Sequence, residues 1–340
     1  MLFHEFGHFI TAKLSGVQVN EFAIGMGPTL FKIQKGETKY SLRLFPIGGF
    51  CSMEGEDEKS TNEKAFSNKP VGKRIIIIVA GAIMNIILAF ILMMIVLSQQ
   101  SQFASTQISK FMDNSVTNHY GLKIGDTIKK INGYSILTYT DIAFILATDK
   151  DFTADVVVER NSEIKKIEGV HFATTQDSNG KEVLVRDFYV APIEKNFFTF
   201  FQQTFNEVVS NVRLTYMSFW KIITGEFGLN AVSGPVGIAS AVTDAATSGL
   251  EVNFLQAVNN IITIMMVLSV SLGVMNLLPF PALDGGRLIF LFIEAIIKRP
   301  VSPKYEGLIH TIGFVILMAL ALFVTFNDVF KLIMGKSLGG

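Results

Sequence analysis

From Ile75 to Ser98 the chain runs for twenty-four residues with one strongly polar side chain, Asn85. As a helix this run is about 36 Å long, enough to cross the ~30 Å hydrocarbon core of a bilayer with some tilt. Lipid offers no partner for backbone N–H and C=O groups, so the surrounding chain must fold as membrane helices with any irregular backbone enclosed in protein. Lys73 and Arg74 stand at the start of the run and mark a cytoplasmic flank by the positive-inside rule. Two later stretches read as further spans: 261–280, broken by Pro279 and Pro281, and 307–326. Composition agrees, since 17% of the 340 residues are charged against about 25% in a soluble domain, with mean hydropathy +0.42. A net charge of zero gives no footing for nucleic acid, and one cysteine, Cys51, excludes an internal disulfide.

The first fourteen residues are apolar and carry His4-Glu5-Phe-Gly-His8. A helix places His4 and His8 one turn apart on one face with Glu5 beside them, the H-E-x-x-H arrangement in which two imidazoles hold Zn²⁺ and the carboxylate serves as base. Two histidines at a helix end could instead simply pack or cap. A helix of fourteen residues spans only about 21 Å, so this first membrane helix reads as lacking an upstream half, and no cleavable signal peptide is evident. A zinc held by two histidines needs a third protein ligand. Asp284, in Asn276-Leu-Leu-Pro-Phe-Pro-Ala-Leu-Asp284-Gly-Gly-Arg287, is the best candidate, because it follows a broken membrane helix. A plain Leu-Asp-Gly-Gly turn is the competing reading.

Between these segments the pattern changes. Residues 15–50 are not helical in pattern, Tyr40, Leu42 and Leu44 alternate with Lys39, Ser41 and Arg43, and the reading is a β-hairpin of about 29–34 and 39–45 turning at Gly36. Glu54 to Asn68 reads as a solvated loop. Residues 103–193 have the composition and turn signals of a soluble mixed module (Gly125-Asp126, Asn132-Gly133, Asn161-Ser162, Asn179-Gly180), with Val156–Arg160 pairing with Glu163–Ile167 and a short helix at 141–147. Residues 197–224 are aromatic but too polar to span, and read as a helix lying in the membrane interface. Asn85 reads as an interhelical hydrogen-bonding residue beside Gly81 and Ala82; His119, His171 and His310 have no motif partners and read as surface or packing residues.

Taken together, His4-Glu-Phe-Gly-His8, Gly25-Met-Gly-Pro28, Pro46-Ile-Gly-Gly-Phe50 with Glu54-Gly-Glu-Asp57, Gly81 to Asn85, Gly121 to Asp126 with Ile131-Asn-Gly133, Gly234-Pro-Val-Gly237 and Asn276 to Gly285 resemble a bacterial site-2 protease with a PDZ domain, an intramembrane zinc metalloprotease. Ala82 stands where that family often has proline, and one PDZ-like module fits where some members carry two. The resemblance implies a polytopic α-helical membrane protein with about four transmembrane helices, a membrane-associated β-hairpin and one inserted PDZ-like mixed α/β domain. Its parts would be a catalytic membrane part at 1–98 (hairpin 29–45, second transmembrane helix 75–98), the PDZ-like domain at 103–193, an interfacial helix and linker at 197–250, and a second catalytic membrane part at 254–330.

It further implies Zn²⁺ on His4, His8 and Asp284, Glu5 as general base, and Asn276 holding substrate backbone. Gly48 and Gly49 are small enough to let that backbone approach. The substrates would be single-pass membrane proteins, anti-sigma factors or remnant signal peptides, some already trimmed by another protease, and the lipid bilayer is the other partner. The site would face the cytoplasmic side of a bacterial inner (plasma) membrane, with the PDZ-like domain outside. Two rivals are an inactive membrane-anchored PDZ adaptor and a metal transporter, but Glu5 is superfluous to the first and no internal repeat supports the second.

Overall fold

The computed structural model describes all residues except 57, 59, 150, 177–181, 229–231 and 335–340; Asp57 and the expected Asn179-Gly180 turn lie outside the described residues. In chain order come α1 (Leu2–Leu14), β1 (Val19–Lys35), β2 (Thr38–Met53), α2 (Val71–Ser98), β3 (Gln102–Phe111), β4 (Thr127–Ile131), β5 (Tyr134–Ser135) and α3 (Tyr139–Thr148). There follow β6 (Thr153–Arg160), β7 (Glu163–His171), β8 (Ala173–Gln176), β9 (Glu182–Val185), β10 (Phe188–Glu194), α4 (Phe197–Ile223), α5 (Pro235–Leu250), α6 (Phe254–Leu277), α7 (Asp284–Ile297) and α8 (Pro303–Ile333). Among the described residues, three helices are long and apolar enough to cross a membrane: Val71–Ser98, Phe254–Leu277 and Lys304–Ile333. The thirteen-residue α1 falls short at about 20 Å.

Contacts divide the chain into two units, Met1–Ala89 with Met265–Phe323 and Phe90–Ile264 with Val324–Gly340. In the first, α1 is two-faced in an unusual way. His4, Gly7, His8 and Ala12 are buried, while the exposed side presents Phe3, Phe6 and Ile10. The inner side packs into a core with Val19, Ile77, Leu288 and Leu291. Arg74 at the start of α2 binds Glu294 of α7 with both guanidinium nitrogens, joining residues 220 positions apart.

The expected hairpin is present but is the outer half of a larger sheet. Gly25 and Gly27, at φ +83° and +84°, bend β1 where a residue with a Cβ rarely goes, so each long strand contributes two arms. Register places 49–53 beside 19–24 (Ile24 opposite Gly49), 19–24 beside 39–45 (Phe22 opposite Tyr40), and 39–45 beside 29–35 (Ile33 opposite Tyr40). Gly25 and Gly27, which look like strand breakers in the sequence, act here as bends within one continuous strand. The loop after Met53 is also less solvated than expected: Ala65 and Phe66 are buried.

In the second unit, strands pair in the order β10-β3-β4-β6-β7, with β5 on β4 and β8 paired with β9. Ile108, Ile128, Ile142, Val156, Val158 and Phe188 fill its core. The Val156–Arg160 pairing with Glu163–Ile167 is present, and the short helix runs from Tyr139 to Thr148 behind a Thr138/Asp141 capping box. Against α3 lies α4, with its polar side inward. Thr204 and Ser210 are fully buried, Ser210 Oγ donates to Asp141 Oδ2 at 2.8 Å, and Thr140 Oγ1 and Gln203 Nε2 donate to Glu207 at 2.9 and 3.0 Å. The outer side of α4 carries Phe198, Phe205 and Trp220, 60–73% exposed. The expected linker at 225–250 contains a helix, α5. It is rich in Ala, Gly, Ser and Thr, so its sequence shows no pronounced apolar stripe, and its N-terminus is capped from a distance. Asp328 near the end of α8 accepts from the N–H groups of Gly234 and Gly237, both at 2.9 Å.

Candidate metal centre

Three ligand atoms converge inside the first unit. His4 Nε2 lies 3.0 Å and His8 Nε2 3.3 Å from Asp284 Oδ2, and the two Nε2 atoms are 3.1 Å apart. Helical spacing on α1 supplies the pair of rings; Asp284 arrives at the first turn of α7 after the loop that interrupts the chain beyond α6. His8 Nδ1 donates to the Ile77 carbonyl at 2.9 Å, which leaves the lone pair of that neutral ring on Nε2. On the other ring, His4 Nδ1 lies 3.3 Å from the Asn85 amide.

The two Nε2 atoms and the Asp284 carboxylate face one point, and Asp284 Oδ2 is buried without a hydrogen-bond donor among the described residues. With both rings neutral and their Nε2 lone pairs turned inward, such a set is completed by a cation. A tetrahedral zinc with bonds of about 2.05 Å puts its ligands about 3.3 Å apart, close to the three separations found. The donor set thus fits zinc in charge, type and spacing. Partners on the far nitrogens, which fix ring orientation, complete the arrangement.

α2 closes one side. Gly81 is pressed against both rings: a Cβ there would lie 2.4 Å from His8 Nε2 and 2.7 Å from His4 Cε1. Asn85, one turn further along α2, is buried and reaches His4, so its place is in the histidine shell as well as in helix packing. Spacing within α2 hints that Gly81 and Asn85 share a face; that the face meets the histidines is settled only by packing.

Glu5 projects from α1 toward the sheet, where its carboxylate lies near the backbone of Cys51 and close to His4, His8 and Asp284. Gly49 lies against it, since a Cβ on Gly49 would be 3.7 Å from Glu5 Cγ. Gly48, at φ +80°, starts the turn into the 49–53 arm. Asn276, near the end of α6, holds its amide 3.3 Å from His4 Nε2 and so borders the same point. A model of peptidase family M50 matches residues 1–320.

The chain belongs to peptidase family M50. It is similar to a putative zinc metalloprotease of Clostridium acetobutylicum, 39% identical over 330 residues that cover 97% of this chain and 94% of the relative. It is 35% identical to a putative zinc metalloprotease of Fusobacterium nucleatum, over 97% of this chain and 95% of that one. The regulator of sigma-W protease RasP of Bacillus subtilis is 31% identical over 98% of this chain and 96% of its own length. This M50 member is accordingly a zinc metalloprotease.

Proposed function

We propose that this M50 metalloprotease is an intramembrane endopeptidase that cuts single-pass membrane proteins in or beside their transmembrane segments, with His4, His8 and Asp284 as zinc ligands and Glu5 as general base. The observation that carries the reading is the convergence of His4 Nε2, His8 Nε2 and Asp284 Oδ2 on a helix whose other face is Phe3, Phe6 and Ile10. In water that face would be polar; lipid is the solvent that suits it. We read α1 on this ground as a fourth membrane-embedded helix.

Bound zinc supplies the Lewis acidity that activates the attacking water and polarises the scissile carbonyl. The chain's own groups do the rest. Glu5 takes the proton of the attacking water and returns it to the leaving amide nitrogen. Asn276 donates its amide to the substrate backbone beside the reacting carbonyl. An unwound substrate segment pairs with the sheet as an added strand, near Gly48 and Gly49, where small residues admit its main chain. The buried His4, His8 and Asn85 and the half-buried Glu5 and Asp284 give water a place among apolar helices.

The module at 103–193 is read as PDZ-like, facing away from the cytoplasm, and either captures a trimmed C-terminus or excludes substrates with large outer domains. Basic flanks at Lys73-Arg74 and Lys298-Arg299 support a catalytic side toward the cytoplasm of a bacterial inner membrane. The relative named a regulator of sigma-W protease supports membrane-anchored regulators such as anti-sigma factors as the substrate class.

The test compares wild type with Glu5→Gln in detergent, using a single-span model substrate and measuring zinc content in parallel. Glu5→Gln is expected to keep its zinc and lose about 10²- to 10⁴-fold in cleavage rate. Equal rates in the two proteins would refute the assignment of Glu5, and no cleavage by zinc-loaded wild type would refute the peptidase reading for this substrate class.

A further inference from the structure

Asp284 is delivered by a loop whose conformation is imposed from α8. Ala282, two residues before the aspartate, stands at φ +73°, a region L side chains rarely adopt. Its N–H donates to His310 Nδ1 at 2.9 Å. Three residues further along α8, and so on the same face, Gly313 meets the loop so closely that a Cβ would lie 2.4 Å from Pro281 Cβ and 2.7 Å from its carbonyl oxygen. The remaining backbone bonds of the loop are local: Phe280 N to Leu278 O, Leu283 N to Phe280 O and Gly286 N to Leu283 O. Local bonds of this kind shape a turn but do not set where it sits relative to α1. His310 adds a tether to the loop itself from a different helix, beside the contacts that Leu288, Leu291 and Glu294 make further along α7.

We propose that His310 is a positioning residue for the metal centre: by accepting the Ala282 N–H it fixes the backbone from which Asp284 reaches the point shared with His4 and His8. The proposal rests on the reading of those three residues as zinc ligands. His310 itself touches neither zinc nor substrate. Acceptance at Nδ1 requires that nitrogen to be unprotonated, so His310 acts as a neutral ring with its proton on Nε2. Gly313 serves the same end by letting α8 lie directly on Pro281.

The experiment uses the full chain in detergent as wild type, His310→Leu, His310→Asn and Asp284→Asn. Zinc affinity is read by competition with a chromophoric chelator, the cobalt(II)-substituted spectrum reports ligand geometry, and melting temperature reports the fold. Leu keeps bulk in an apolar helix but cannot accept a hydrogen bond; the Asn Oδ1 takes roughly the place of the imidazole Nδ1. His310→Leu should bind zinc about 10- to 100-fold more weakly with an altered cobalt spectrum, and His310→Asn should stay within about threefold of wild type. Wild-type affinity in His310→Leu, or the same weakening in a folded His310→Asn, overturns the proposal alone. Should His310→Leu not fold, His310→Asn decides: affinity within threefold supports the proposal and a tenfold loss overturns it. Undiminished affinity in Asp284→Asn overturns the ligand reading and this proposal with it.

Discussion

Replacing Gly81 by alanine adds one methyl group to α2 and should disable the metal centre. The added Cβ would sit 2.4 Å from His8 Nε2 and 2.7 Å from His4 Cε1, whereas ordinary contact begins at 3.4 Å. One partner must therefore withdraw by about 1 Å, roughly five times the ±0.2 Å within which zinc–ligand distances hold. Neither ring withdraws freely, since His8 is bonded to the Ile77 carbonyl and His4 to Asn85. Losing an orienting partner of a ligand costs 10- to 100-fold in metal affinity; displacing a ligand atom should cost at least the upper figure, about 2.8 kcal/mol. Competition with a chromophoric chelator measures this directly, and Gly307→Ala, where an added Cβ meets nothing within 4 Å, is the control. Zinc affinity in Gly81→Ala within about threefold of the control would refute the packing argument, because a displacement of this size cannot leave the ligand shell intact.

Other outcomes follow from the same geometry. Asn85→Leu, which keeps bulk within α2 but removes the partner of His4, should weaken zinc binding about 10- to 100-fold while the melting temperature holds; a melting change with unaltered affinity would mark Asn85 as a packing residue only. Burial pushes the Glu207 carboxyl above the usual carboxylate range, so the folded protein holds that proton more tightly than the unfolded chain, and ionisation at higher pH costs stability. Glu207→Gln should therefore melt above wild type at pH 8, with the gap closing toward pH 4; a gap that widens in acid contradicts this. Asp328→Ala strips the acceptor from two backbone N–H groups at the start of α5 and should lower stability by about 1–2 kcal/mol, read as a melting shift in detergent, with Asp328→Asn retaining most of it.

What the sequence discloses of this site depends on separation along the chain. His4 and His8 are legible because their relation is set by the pitch of one helix. Asp284 is legible as a carboxylate following a proline-broken apolar segment. Gly81 and Asn85 sit on a helix whose sequence shows only that they share a face; which neighbour that face meets is a tertiary fact. His310 is hidden for the same reason, being one histidine in an apolar helix with no motif around it. The sheet is half legible, since alternation from Lys39 to Leu44 marks the outer hairpin while the bends at Gly25 and Gly27 conceal the inner arms. α4 shows the limit of periodicity most plainly: the pattern separates an aromatic from a polar side but cannot say that the polar side is the buried one.

That inversion in α4 bears on how the strand-rich module is to be excised. Cutting after β10 would remove Ser210 from the Asp141 carboxylate, Glu207 from Thr140, and Met217 from the apolar interior, so the truncated piece would end with an open wound where α3 begins. A recombinant fragment meant for peptide-binding work should run through Ile223. It will then need a detergent or nanodisc, because the helix that completes it turns phenylalanine and tryptophan outward.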